Sequence, residues 1–256
     1  MIKKGAGFIL VGLFVFGFWG SQQSIKAEEK IPQIYTCKQV TGKIKIDGIL
    51  DEPDWQKAES IKFLHLPLTK DTQTQEYQEA ISPGSGKILY DKNYLYIGLE
   101  AKDKDIWATM KDGEILCRED VLEIFIKPKK DSFVYYEFEI SPKNKEWTLM
   151  WPRRGARSDK AAALYNPPLK KAVKIYGTLN DWRDVDDKWV LEVAIPFSAF
   201  KEVTSPPQAG DEWSFSFCRY DYSVYLEGGL EYSATAKLSK IWFHLYEDYD
   251  ILKFGN

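Results

Sequence analysis

From Ile34 onward, apolar and polar positions alternate along the chain with a period of two. In YLYIGLEA, Leu95, Ile97 and Leu99 fall on one face and Tyr94, Tyr96 and Glu100 on the other. VLEIFIK sets Leu122, Ile124 and Ile126 against Val121, Glu123 and Phe125. FVYYEFEI sets Val134, Tyr136, Phe138 and Ile140 against Tyr135, Glu137 and Glu139, and KWVLEVAI and WSFSFCRY continue the pattern. Alternation in segments rich in β-branched and aromatic residues predicts half-buried strands. Turn signals separate them at Asp91-Lys92-Asn93, at Pro128 to Asp131, at Asp184 to Asp187 and at Pro206 to Asp211. Two stretches break the rhythm. Residues 69–86 are polar and turn-rich and predict a long loop, and residues 153–168 predict an exposed connection with one helical turn at Lys160 to Leu164. Neither divides the chain. Many short strands with no long amphipathic helix predict an all-β fold, an antiparallel β-sandwich of immunoglobulin or jelly-roll type with short helical turns.

Near the start, GKIKIDGILDEPDWQKAESI concentrates several local signals. Ile44 and Ile46 read as the end of a strand and Asp47-Gly48 as a hairpin-type turn. Asp51 is placed to cap a helical turn starting near Glu52-Pro53, where proline in the first turn costs nothing. Trp55 is then expected at the sandwich edge, closing one end of the core with Ala58 beneath it.

The segment ahead of the alternation has a different character. Lys3 and Lys4 precede an apolar run from about Gly7 to Gly20 and a polar stretch ending in Ala27. This is the layout of a secretory signal peptide, and the run is short for a membrane span. The expected division is a leader over residues 1–27 and one domain over residues 28–256, in a protein that is secreted or periplasmic and spans no membrane once the leader is removed.

Removing Lys3, Lys4 and Lys26 leaves 32 basic against 38 acidic residues, a balance that gives no electrostatic reason to bind nucleic acid or anionic membranes. Three cysteines, Cys37, Cys117 and Cys218, leave the question of pairing open. His65 and His244 have no Cys or carboxylate partner at zinc-like spacing. Aromatic residues make up 15% of the chain, enough to furnish a stacking surface as well as a core.

Six segments together resemble the carbohydrate-binding modules of family 9 and their stand-alone relatives, a β-sandwich group related to the DOMON superfamily. They are KIDGILDEPDWQKA, LYDKNYLYIGLEAKDKDI, REDVLEIFIKP, YYEFEISP, KWVLEVAIPFSAF, and the closing GDEWSFSFCRYD through WFHLYEDYDILKF. They keep the family's order and spacing and span nearly all of the chain after the leader. The resemblance implies a non-catalytic module whose partner is a carbohydrate.

Sugar-binding members of the family clamp their ligand between two Trp, with carboxylate, amide and basic groups at the base. Carried onto this sequence, the second clamp position falls on Trp242 and the acidic position on Glu123. The first clamp position falls on Cys117, which cannot stack, and the family's basic position falls on Glu139. Trp147 and Trp151 share a face if EWTLMW is extended, and Arg219 and Arg118 flank neighbouring segments. The expected ligand-binding set is therefore Trp242 and Glu123 first, then Trp151, Trp147, Arg219 and Arg118. His244 is expected to support the site by hydrogen bonding. Asp103 and Asp105 resemble strand ends that hold structural calcium in some family members, but two carboxylates fall short of the six to eight oxygens calcium takes, so no cofactor is expected.

Two other functions have candidate residues. Glu123, Glu137 and Glu139 share a face of neighbouring strands, as the acid and base of a glycoside hydrolase would. Related sandwiches bind haem, for which Met110, Met150 and His244 are the available axial ligands.

Overall fold

The computed structural model describes residues 31–66, 77–163 and 165–255. The expected leader and residues 69–76 of the expected long loop lie outside them. Thirteen strands follow one another: β1 (Ile34–Gln39), β2 (Ile61–Lys62), β3 (Leu64–His65), β4 (Gly84–Tyr90), β5 (Tyr94–Lys102), β6 (Val121–Lys127) and β7 (Tyr135–Ile140). The remainder are β8 (Glu146–Trp151), β9 (Lys170–Tyr176), β10 (Lys188–Pro196), β11 (Glu212–Tyr222), β12 (Leu230–Ala234) and β13 (Asp250–Phe254). Among the described residues the strands are accompanied by two short α-helices, α1 (Pro53–Lys57) and α2 (Ser158–Ala163), and three 3-10 turns. Among the described residues no helix is long and apolar enough to cross a membrane.

The strands run in the order β8-β7-β6-β11-β13-β1-β4-β5-β10-β9, a sheet curled on itself into two facing layers. Its ladders are antiparallel except at β1, which lies parallel to β13 over Ile34 to Cys37 and parallel to β4 over Lys38 and Gln39. One strand therefore belongs to both layers. β11 also changes partner along one edge, pairing with β13 over Glu212 to Phe215 and with β12 over Cys218 to Tyr222.

Between the layers sits the main core. Leu122, Ile124, Ile126, Tyr136, Phe138, Phe215 and Phe217 face Ile88, Leu95, Ile97, Leu99, Trp189, Leu191 and Val193. These are the inward positions of the period-two reading. What alternation did not convey is that each layer is also covered outside. On the layer of β4, β5 and β10, the segment from Val40 to Ala58 packs Trp55 and Ala58 onto Leu89, Tyr96 and Ala194. Gly98 permits this approach, because a Cβ there would meet a Leu50 methyl at 2.6 Å.

That arrangement corrects the reading of the opening motif. Ile44 and Ile46 join no strand, Trp55 covers an outer sheet face instead of an edge, and the residue ahead of α1 is Glu52, not Asp51. Asp47-Gly48 does turn the chain, with Gly48 at φ 81°, a value that favours glycine. The connection at residues 153–168 also differs in detail, since α2 begins at Ser158. Gly84 to Gly86, expected in a loop, open β4.

The outer face of the other layer carries a second apolar cluster, Phe125, Tyr135, Leu149, Trp151, Cys218, Phe243 and Tyr249. The segment between β12 and β13 folds over it, so every residue of β6 and β7 is buried. Glu123, Glu137 and Glu139 are consequently only 2%, 4% and 2% exposed, where an open sheet face would have left them in water.

Candidate functional site

The covering segment does not close completely over this face. It leaves a cleft of about 430 Å³ bounded by the sheet, the Ile115 loop, α2 and residues 241–244. Register explains its floor. Cys218 pairs with Glu123, Glu123 with Glu139, and Glu139 with Trp147, so these four side chains form one row across β11, β6, β7 and β8. Glu137 lies two residues along β7 on the same face. Oxygens of Glu123, Glu137 and Glu139 come within 4.8 Å of one another.

Each acid is held differently. Trp151 donates its indole N–H to Glu137 Oε2 at 2.5 Å. The backbone N–H of Leu116, in a 3-10 turn spanning Leu116–Arg118, donates to Glu139 Oε2 at 2.9 Å. Glu123 takes part in no hydrogen bond or ion pair among the described residues. Burial raises the Glu137 carboxyl to about 7. Burial, followed by the neighbouring carboxylates, drives Glu123 and Glu139 well above the usual carboxylate range.

The walls are aromatic. Trp151 is 7% exposed and stacks on Tyr135 at 6.1 Å and 12°. Tyr135 Oη lies 2.9 Å from His244 Nδ1. Burial, then nearby Arg154, lowers His244 to about 4, so its imidazole is neutral at pH 7 and supports Tyr135 by hydrogen bonding. Phe243 wedges edge-on against Tyr220 and Tyr232 at 5.1 and 6.4 Å. Trp242, at the mouth, is 45% exposed. Its indole is steadied by the Arg154 guanidinium, 5.3 Å from the ring centroid, and Arg154 is itself held by Glu247 through two bonds of 2.6 and 2.7 Å.

The fold thus brings together four of the six expected ligand residues: Trp242, Glu123, Trp151 and Trp147. Cys117 lines the cleft as well, its thiol raised to about 12 by burial and by Glu139. Arg118 is exposed beside the rim and does not line the cleft.

Arg219 is elsewhere. It alternates with Cys218 and Tyr220 along β11 and points to the opposite face. There it is 1% exposed, donates to Asp103 Oδ2 at 2.9 Å and to the Lys102 carbonyl at 2.7 Å, and forms an ion pair with Asp221 Oδ1 at 3.1 Å. Asp103, Asp120 and Asp221 cluster around it. Its guanidinium already engages two of these carboxylates, and Asp105 turns away to accept the Val224 N–H. The set therefore does not suit a calcium ion.

The haem candidates do not converge either. Met150 packs toward the inner core, while His244 is on the outer side of the same layer. The lining residues not foreseen for the site are Ile115, Ser158, Tyr220, Tyr232, Ile241 and Phe243. The parity of β11 places Tyr220 on the face of Cys218, but nothing local marks the other five.

The sequence pattern of the carbohydrate family 9 binding domain-like family matches residues 46–223. The chain belongs to that family. Among solved structures, this family 9 chain is similar to a candidate carbohydrate-binding protein of Bacteroides uniformis. The identity is 16% and the TM-score 0.63, over 88% of this chain and 100% of that one. It is also similar to a family 9 carbohydrate-binding module of Caldicellulosiruptor kristjanssonii solved with cellotriose, at 14% identity and TM-score 0.57, over 88% of this chain and 94% of the other. The same organism's module with glucose aligns at 14% identity and TM-score 0.56, over 88% and 97%. At such identities the structural likeness establishes the sandwich fold. Comparison with curated proteins gave no match.

Proposed function

We propose that this family 9 protein is exported and binds a carbohydrate without transforming it, in the service of polysaccharide breakdown. The observation that carries the reading is a single cleft joining two partly exposed indoles, Trp242 and Trp147, to a floor of carboxylates. Aromatic faces stack on the C–H faces of a pyranose, and carboxyl groups bond its hydroxyls. The similar family 9 module solved with cellotriose supports a saccharide as the ligand class. A glycan array with the purified protein, followed by calorimetric titration of the best ligand against Trp242→Ala, tests it. Retention on one glycan class that the variant loses supports the proposal, and a silent array defeats it.

The clustering of Glu123, Glu137 and Glu139 within 4.8 Å is the observation that favours a glycoside hydrolase. A hydrolase acid and base need environments that push their pKa values apart. Here burial pushes all three carboxyls upward, which favours binding over catalysis. Release of reducing sugar from the best array ligand would reverse that preference.

A further inference from the structure

Among the described residues, the cleft floor holds three acids and no cation. Glu123 and Glu139 stand directly opposite each other on β6 and β7, an arrangement that like charges disfavour. The other titratable groups around them are the Cys117 and Cys218 thiols, the Tyr135, Tyr220, Tyr232 and Tyr249 hydroxyls and the neutral His244 imidazole. Arg154 is committed to Glu247 at the mouth, and Arg118 is exposed outside the lining. Glu123 is 2% exposed, reaches the cleft, and has no hydrogen-bond or ion-pair partner among the described residues. A buried carboxyl either keeps its proton or needs a counter-charge, and with none offered to Glu123 by the described residues, a counter-charge that ionises it comes from the ligand.

We propose that the ligand supplies it: an amino sugar whose free primary ammonium docks onto Glu123, Glu137 and Glu139. The amine assignment deepens the carbohydrate-binding reading and rests on it for the sugar ring. A primary ammonium carries three N–H donors and no acceptor, which matches three converging carboxylates. A quaternary ammonium has no N–H to give them, and an N-acetylated sugar has lost the charge. A divalent metal ion would need about six to eight oxygen ligands, more than the three acids offer, whereas Trp147, Trp151, Ile241 and Phe243 make much of the surrounding wall apolar. Those indole faces suit both the pyranose ring and the adjacent positive charge. The Glu137 carboxyl, raised to about 7, retains part of its proton near neutrality in the empty cleft, so docking of the ammonium releases it. Affinity should accordingly rise with pH until the sugar's own amine deprotonates.

The test is calorimetric titration of the purified protein with three trisaccharides: glucosamine trimer, the same trimer N-acetylated, and cellotriose. The free-amine trimer should bind at least about tenfold more tightly than the other two, as expected for charge-assisted bonds to carboxylates. Its heat should vary with the buffer's ionisation enthalpy, and Glu123→Gln, confirmed folded by circular dichroism, should lose the amine preference. If the N-acetylated trimer or cellotriose binds as well as the amine, the ammonium assignment fails and the carbohydrate reading stands. If no saccharide binds here or on the array, both fail. Spermidine binding as tightly as the amine trimer would overturn the sugar assignment. Calcium or manganese chloride binding that Glu123→Gln abolishes, with no amine binding, would overturn the ammonium in favour of a metal ion.

Discussion

The indole N–H of Trp55 donates to Glu192 Oε1 at 3.2 Å, while Oε2 of the same carboxylate accepts the backbone N–H groups of Asp47 and Gly48 at 2.8 and 3.0 Å. One buried acid on β10 thereby fixes both the turn and the aromatic of the opening motif. Trp55→Ala should cost about 3–5 kcal/mol of stability, the usual range for a buried aromatic removed without repacking. Urea unfolding followed by circular dichroism measures this, and an unchanged midpoint would mean that the outer cover contributes nothing.

Stability should fall as pH rises through neutrality. Burial raises the Glu137 carboxyl from its ordinary 4.5 to about 7, and burial offset by Arg219 leaves Asp103 near 6 against an ordinary 3.8. Between those values the folded chain binds more protons than the unfolded one, so raising the pH favours unfolding. The loss from these two groups sets in above the unfolded carboxyl range and is complete beyond about 7. Tm should be higher near pH 5 than near pH 8 by on the order of 5 °C, judged from typical unfolding entropies. Glu137→Gln should flatten the profile. A Tm that rises over this range would contradict the assigned burial.

Trp242 and Trp147 should matter to ligand and little to folding. Each replaced by Ala should weaken binding of the array's best glycan about ten- to a hundred-fold, taking roughly 1–3 kcal/mol per stacked ring by analogy with base stacking. With Trp242 45% exposed, its variant should melt close to the parent. Full affinity in both variants would move the site elsewhere on the protein.

Arg219 should behave in the opposite way. Arg219→Met leaves Asp103 and Asp221 without their partner and should cost about 3–5 kcal/mol, the penalty for breaking a buried ion pair from one side. Because the side chain points away from the cleft, whatever fraction of the variant is folded should bind ligand normally. Scanning calorimetry and titration together separate the two effects.

Cys37, Cys117 and Cys218 are all free thiols. Unfolding without reductant should therefore release three titratable thiols. In the native protein, burial of Cys37 and Cys218 and the raised pKa of Cys117 should make alkylation slow at neutral pH.

The inward half of the strand pattern was legible because it is local: Leu95, Ile97 and Leu99 recur at period two whatever covers the other side. The outward half was not. Glu123 and Phe125 alternate with core residues just as solvated positions would, and only the segment after β12 turns them into buried ones. Trp242 was placed in the cleft by its resemblance to a clamp position, and Trp147 and Trp151 by parity along β8. Arg219 was expected at the site because it flanks a neighbouring segment, a position that does not tell which face of β11 its side chain takes. In fact it shares parity with Phe215 and Phe217 and is neutralised by Asp103, 116 residues away in sequence, together with the nearby Asp221. Asp51 had the right composition for a cap, but the helix begins one residue later than its capping role would require.

The doubly parallel strand β1 has a kinetic consequence. Ile34 pairs with Ile251, so the seam joining the two layers brings opposite ends of the described chain together. No stretch emerging early from the ribosome can complete this barrel-like closure alone, and contacts of such sequence separation slow folding. Until Asp250–Phe254 arrives, β1 and the start of β11 both present an open edge. The two layers can thus be joined at this seam only once β13 lies between β1 and β11.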